Sequence, residues 1–193
     1  MRHPDWPAFL ATIVAEPDDD TRRLVAADFL EECGEADRAA FIRVQIELAR
    51  LYASELSGSP EAAALRKKER GFLGPKSEKP HLWAAEECPE LVRPDPRGRL
   101  RFEGTERLTW RRGFVEEVRC PAGEWLRHGV AVRARNPVRV VRLTECEHPA
   151  RDAWYAGLDS LRGLRLVDLI SGEELANWLR PWLPGTEVVA IPF

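Results

Sequence analysis

Val115-Glu116-Glu117-Val118-Arg119-Cys120 recurs in outline three more times along the second half of the chain. The later copies are Val138-Arg139-Val140-Val141-Arg142-Leu143, Leu161-Arg162-Gly163-Leu164-Arg165-Leu166 and Thr186-Glu187-Val188-Val189-Ala190-Ile191. Their first positions lie 23, 23 and 25 residues apart, with helix-like sequence in every gap. A near-constant period of this size is what stacked strand–helix units leave in a sequence. The connecting helices are expected over 122–135, 149–158 and 172–183, each closed by a turn signal: Asn136-Pro137, Gly163 and Pro184-Gly185. Strand, helix, parallel strand is the expected connection, because a crossover returns a strand in the same direction beside its predecessor.

Upstream of the repeats, Pro94 to Gly98 reads as a turn, followed by short strands around Leu100, Phe102, Leu108 and Trp110 and a tight turn at Arg112-Gly113. The stretch from Gly71 to Pro80 is the most loop-like interior segment. The first 70 residues read as four helices. Pro17 ends the first, Gly34 the second, and Ser57-Gly58-Ser59-Pro60 separates the third from the fourth. Asp5 is the expected cap of the first helix, and Asp18-Asp19-Asp20 supplies capping oxygens for the second. The acidic triplet lacks the alternating ligands, central glycine and terminal glutamate of a calcium loop, so capping is preferred over metal binding. The division that follows is a helical module over 1–73, a linker with short strands over 74–113, and αβ repeats over 114–193.

The net charge of −3 is unevenly placed: −7 over residues 1–65, +1 over 66–92, +7 over 93–142 and −4 over 143–193. The acidic head and basic middle either dock on each other or steer a charged partner. No run approaches the length of a membrane-spanning segment, and the start of the chain carries no apolar signal stretch. Cys33, Cys88, Cys120 and Cys146 stand singly, which reads as reduced thiols in a cytoplasmic protein.

The text Phe9-Leu10-x-x-Ile13, then Pro17-Asp18-Asp19-Asp20-Thr21-x-Arg23-Leu24-Val25-x-Ala27-Asp28-x-Leu30-Glu31-Glu32-x-Gly34, continues as Arg38-Ala39-x-Phe41-Ile42-Arg43-x-Gln45-x-x-Leu48-Ala49. Those residues resemble a bacterial family known as the repeat-companion domain. Arg112-Gly113-Phe114-Val115-Glu116 looks like the segment that, in that family, introduces the following repeats. The resemblance implies an N-terminal helical module ahead of degenerate leucine-rich-like repeats, and it implies no chemistry. The expected fold is therefore α+β: a helical module packed on a short, irregular leucine-rich-like solenoid with parallel strands.

Side chains able to do chemistry are scarce. No serine sits in a nucleophile elbow, no glycine loop cradles a phosphate, and the four histidines lack an acid or nucleophile context. Cys146 with His148, and Cys120 with His128, lack the paired spacing of zinc ligands, so neither an enzyme nor a metal or cofactor site is expected. Asp28 is the lone charge in the run 24–30, and Arg43 on the next helix is its expected ion-pair partner. Trp125, Trp154, Trp178 and Trp182 fall in the repeat helices and are expected to pack against the strands. Trp83 and Trp110 fall outside that pattern and, with Arg107, Arg111 and Arg112, form the candidate contact surface. The expected function is non-catalytic protein–protein recognition through that edge or through the exposed strand side, with self-association also open. The alternative is a nucleic-acid-associated factor gripping phosphates with the arginine-rich middle, against which the pI of about 5.9 speaks.

Overall fold

Each strand of the repeating half lies beside the one before it, so chain order and sheet order coincide. The structure, a computed structural model, describes residues 3–74, 77–94, 102–170 and 172–191. The helices are α1 (Trp6–Ala15), α2 (Asp20–Glu32), α3 (Ala36–Ala53), α4 (Pro60–Leu73) and α5 (Lys79–Glu87). A two-residue pair, β1 (Arg93–Pro94) and β2 (Phe102–Glu103), precedes the main sheet. That sheet comprises β3 (Leu108–Arg111), β4 (Phe114–Pro121), β5 (Val140–Thr144), β6 (Leu166–Ile170) and β7 (Glu187–Ile191), in that order across it. β3 and β4 are antiparallel; β4, β5, β6 and β7 run parallel. Between them lie α6 (Ala122–Arg133), α7 (Arg151–Leu161) and α8 (Glu173–Leu179), the last extended by a 3-10 turn over Arg180–Trp182. Among the described residues the fold is α+β with a mostly parallel five-stranded sheet. No helix there is long and apolar enough to cross a membrane.

Local sequence sets the helix ends. Asp19 accepts a hydrogen bond from the Thr21 amide at 2.8 Å, which caps α2. At its other end Glu35 N–H donates to Leu30 O at 2.8 Å and Gly34 N–H to Glu31 O at 3.0 Å. That double closure requires the positive φ of +85° at Gly34. Ser59 accepts from the Ala62 amide at 3.0 Å, and Pro60 opens α4. Asp5 departs from its expected role. It stands at the start of α1 but makes no capping bond, because its own backbone is already helical (φ −81°, ψ −12°) and directs the carboxylate away from the first free amides.

Three of the four repeating strands, β5, β6 and β7, begin later than the apolar pieces suggest, while β4 begins one residue earlier, at Phe114. Leu161 is the last residue of α7 and Leu164 lies in the following turn, yet both are buried. Those leucines point into the same core as the strands, so the pattern recorded core-facing positions rather than strand boundaries. Within the sheet, Val118, Val141, Val167 and Val188 align in one row and Cys120, Leu143, Leu169 and Ala190 in the next. Both rows belong to the core with Trp125, Trp154, Leu158, Leu161 and Leu179 from the helices. Trp178 is only partly buried, and Trp182 is 43% exposed rather than packed beneath the strands.

All four cysteines are free; Cys33 is exposed and the other three are buried. Burial pushes the Cys146 thiol up to about 11 and the Cys120 thiol up to about 12, and it raises Cys88 as well. Thiols held protonated behind packed side chains are poor nucleophiles. One equivalent of an aromatic disulfide reagent is therefore expected to react promptly with the folded chain, and the remaining three only in denaturant. Prompt reaction of a second thiol would show that the core around Cys120, Cys146 or Cys88 opens.

Candidate interaction surface

The helical module and the sheet meet at the β3–β4 turn. Arg112 (φ +48°) and Gly113 (φ +85°) both take left-handed backbone, which lets two residues reverse an antiparallel pair. The tip presses on α3: the Gly113 amide donates to Gln45 Oε1 at 2.7 Å, and Gln45 Nε2 donates to Trp110 O at 3.2 Å and Glu69 Oε1 at 2.9 Å. From α2, Arg23 reaches the same turn. It donates to Arg112 O at 3.2 Å, Pro17 O at 2.8 Å and Glu116 Oε1 at 2.8 Å, and its side chain is wholly buried. Glu116 is available for this because the pairing steps from Thr109–Glu117 to Trp110–Val115, leaving Glu116 without an opposite residue. A bulge of that kind re-aims a side chain. Burial lowers the Arg23 guanidinium to about 10, with the Glu116 carboxylate opposing that shift.

Most of the expected contact surface is consumed by this junction. Trp83 is 8% exposed and stacks on Phe41 at 5.1 Å between ring centroids. The Arg38 guanidinium lies 4.7 Å from the Trp83 ring and 4.6 Å from the Trp110 ring, and it donates to Glu87 at 2.7 Å. Trp83 and Trp110 thus wall in a buried cation from α3 and do not form an open patch. Arg107 donates to Glu124 at 2.9 Å. Arg112 pairs with Glu116 at 3.1 Å and stands 3.6 Å from both Asp18 and Asp20. Arg111 keeps an open side chain, 61% exposed, with Glu117 at 3.7 Å. Of the remaining arginines of the middle segment, Arg97, Arg99 and Arg101 lie outside the described residues. Acidic head and basic middle therefore meet inside the molecule, with Asp18 also bound by Arg139, whose hydrogen bond holds that carboxyl below the usual carboxylate range.

Arg43 donates to Asp28 at 2.7 Å and sits 2.6 Å from Glu31. Asp28 is two-thirds exposed, so this is a surface clamp between α2 and α3, of a kind worth roughly 0–1 kcal/mol.

The open ground lies on the sheet face opposite the helices. Three rows of side chains point there. Glu117, Val140, Leu166 and Glu187 form one; Arg119, Arg142, Asp168 and Val189 the next; Pro121, Thr144, Ile170 and Ile191 the third. Val140, Leu166, Ile170 and Val189 are half-buried, while Arg119, Glu187 and Ile191 are exposed. Arg142 bridges the strands, donating to Glu117 at 2.5 Å and to Asp168 Oδ2 at 3.3 Å. Asp168 is 3% exposed and its Oδ1 has no donor among the described residues. Burial holds its carboxyl above the usual carboxylate range, with Arg142 pulling the other way. The side chains of Arg119 and Glu187 make no hydrogen bond or ion pair with a described residue. None of these five charged residues, Glu117, Arg119, Arg142, Asp168 and Glu187, stood out individually in the sequence; a single charge inside an apolar strand, as in Leu166-Val167-Asp168-Leu169-Ile170, was the signal available.

A cleft of about 570 Å³ is lined by Arg133, Arg139 and Arg165, but Arg133 is spent on the carbonyls of Asp159, Ser160 and Arg162, and Arg139 on Asp18. Tyr155 packs edge to face against both Trp178 and Trp182 on the helix side, with Arg151 over Trp178 at 4.7 Å. No group of three or more potential metal ligands converges among the described residues. No protein-family model, no curated protein and no solved structure matches the chain.

Proposed function

We propose that the chain is a non-catalytic protein-recognition module whose binding platform is the uncovered face of its sheet. The observation that carries this reading is the bareness of that face. Parallel sheets are ordinarily covered on both sides, since their strands are apolar on both. Here helices cover one side, and the other presents half-buried aliphatic rows around a charge ladder. That mixture of aliphatic centre and placed charge is the make-up of an interface core and rim. We read the fold in finer terms as a repeat-companion module capping a short, degenerate leucine-rich-like solenoid. In support, Arg23, Arg38, Gln45 and 112–116, all within the motif text, build a single junction. The free state of the four cysteines favours a reducing, cytoplasmic setting. The nucleic-acid alternative draws little support, because Arg107 and Arg112 are neutralised within the chain.

Leu166→Arg places a cation in the middle of the platform, while Val130→Arg alters the outer side of α6, where Val130 is 59% exposed. Proteins captured from the native cell extract by the immobilised chain should be lost with Leu166→Arg and kept with Val130→Arg. Identical captures by both variants would overturn the platform reading.

A further inference from the structure

A cavity of about 270 Å³ opens where α3 and α4 meet the β3–β4 hairpin, and we propose that it binds a free apolar amino acid in its zwitterionic form. Junctions between structural units are where small-molecule sites commonly form. The volume falls just below the range of sites for drug-sized molecules, so the ligand is small. Leu48 and Tyr52 from α3 and Trp110 from β3 supply the apolar lining. Leu48 is buried, Trp110 is half-buried and Tyr52 is 46% exposed, which leaves aromatic surface for a ligand side chain to cover.

Opposite charges line the same cavity without closing on each other. The carboxylate paired with Arg111 among the described residues is Glu117, at 3.7 Å, too far for a hydrogen bond, and the Arg111 side chain is 61% exposed. Glu69 forms no ion pair with a described residue. Its Oε1 accepts from Gln45 Nε2 at 2.9 Å, and its Oε2 accepts from no described donor. Gln45 holds that carboxylate in place: it is 5% exposed, with Nε2 also on Trp110 O at 3.2 Å and Oε1 on the Gly113 amide at 2.7 Å. A guanidinium and a carboxylate held apart beside an apolar lining match the two ends of an α-amino acid. The planar fork of Arg111 takes the α-carboxylate, and Glu69 Oε2 takes the α-ammonium. The ligand side chain then lies against Leu48, Tyr52 and Trp110. A plain anion would be opposed by Glu69 and a plain cation by Arg111, so a neutral ligand carrying both charges is preferred. A peptide terminus carries only one of the two charges on its end residue and fits less well.

Titration calorimetry of the full chain tests this with leucine and phenylalanine, and with N-acetylleucine and leucinamide, which lack the ammonium and the carboxylate respectively. Leucine should bind, and each blocked derivative should bind about tenfold or more weakly, having lost one charge-assisted bond. Arg111→Gln and Glu69→Gln should each weaken leucine by a similar factor. Both side chains are partly exposed, and Glu69→Gln keeps an oxygen for Gln45, so urea unfolding should show both variants folded. In Glu69→Gln, acetylating the ligand should cost little more, because the pair it breaks is already gone. If Glu69→Gln instead weakened leucine and N-acetylleucine alike, Glu69 would be structural and the proposal overturned. Leucine and phenylalanine both silent at about 10 mM, where a millimolar complex is nearly saturated, would also overturn it. So would leucine binding unchanged in both variants. Leucinamide binding as well as leucine would replace the amino acid with a peptide amino terminus, and N-acetylleucine doing so would replace it with a carboxyl terminus; either result overturns the zwitterion.

Discussion

Gly113→Ala is expected to cost the fold about 2–5 kcal/mol, from left-handed backbone strain and overpacking together. Gly113 has φ +85°, where a Cβ is strained whatever the space around it. The space is also taken: a Cβ would lie 2.4 Å from Ile42 Cγ1 and 2.8 Å from Ile42 Cα. The second contact is to the backbone of α3, so no rotamer change relieves it, and Ile42 is itself fully buried. Relief requires the turn to lift off α3, which breaks the Gly113–Gln45 hydrogen bond and loosens Arg23 from the Arg112 carbonyl. For a chain of this size the loss corresponds to a melting temperature lower by roughly 5–15 °C. Gly185→Ala is the control, because Gly185 has φ +80° and nothing within 4 Å. It should show the backbone term alone, about 1 kcal/mol. Equal losses from the two substitutions would mean that the hairpin does not seat on the helix.

That seating shows what a sequence read along its length can and cannot convey. The parallel strands were legible because each core row repeats at one period, and the period survives whether a leucine lies in a strand or, like Leu161, at the end of a helix. The turn at Arg112-Gly113 was legible from its own two residues. The purpose of the turn was not, since its partners Gln45 and Arg23 lie 68 and 89 residues away. Trp83 and Trp110 looked available for the same reason. Nothing local to either tryptophan announces Arg38, the cation from another helix that both enclose. The Asp28–Arg43 pair was easier, because a short connection between antiparallel helices limits which side chains can meet. On the sheet face, exposure depended on which side the helices would cover, and periodicity alone leaves the two sides of a parallel strand alike.

Truncating Arg23 should be as damaging as the glycine substitution, about 3–5 kcal/mol, because it removes one of the two cations on a buried carboxylate together with the donor to buried carbonyls. Arg23 is wholly buried, and Glu116 retains only 7% of its side-chain exposure. Without the guanidinium, Glu116 keeps Arg112 as its one hydrogen-bonding cation, and the carbonyls of Pro17 and Arg112 lose a donor. The loss is more than one ion pair, since the same side chain ties α2, the α1–α2 connection and the β3–β4 turn together. Arg23→Lys separates these roles. It keeps the charge but offers no planar fork able to reach a carboxylate and two carbonyls at once. If charge alone matters, lysine should recover most of the stability; the geometry here leads us to expect that it recovers less than half. Glu116→Gln supplies the reverse case. It leaves Arg23 charged, with its carbonyl partners intact and an amide oxygen in place of the carboxylate, so it should cost less than Arg23→Ala. Urea unfolding of the three variants orders them. An Arg23→Ala chain no weaker than Glu116→Gln would show that the carbonyl contacts contribute nothing, leaving the two halves held mainly by the aromatic box around Arg38 and the seating of Gly113 on α3.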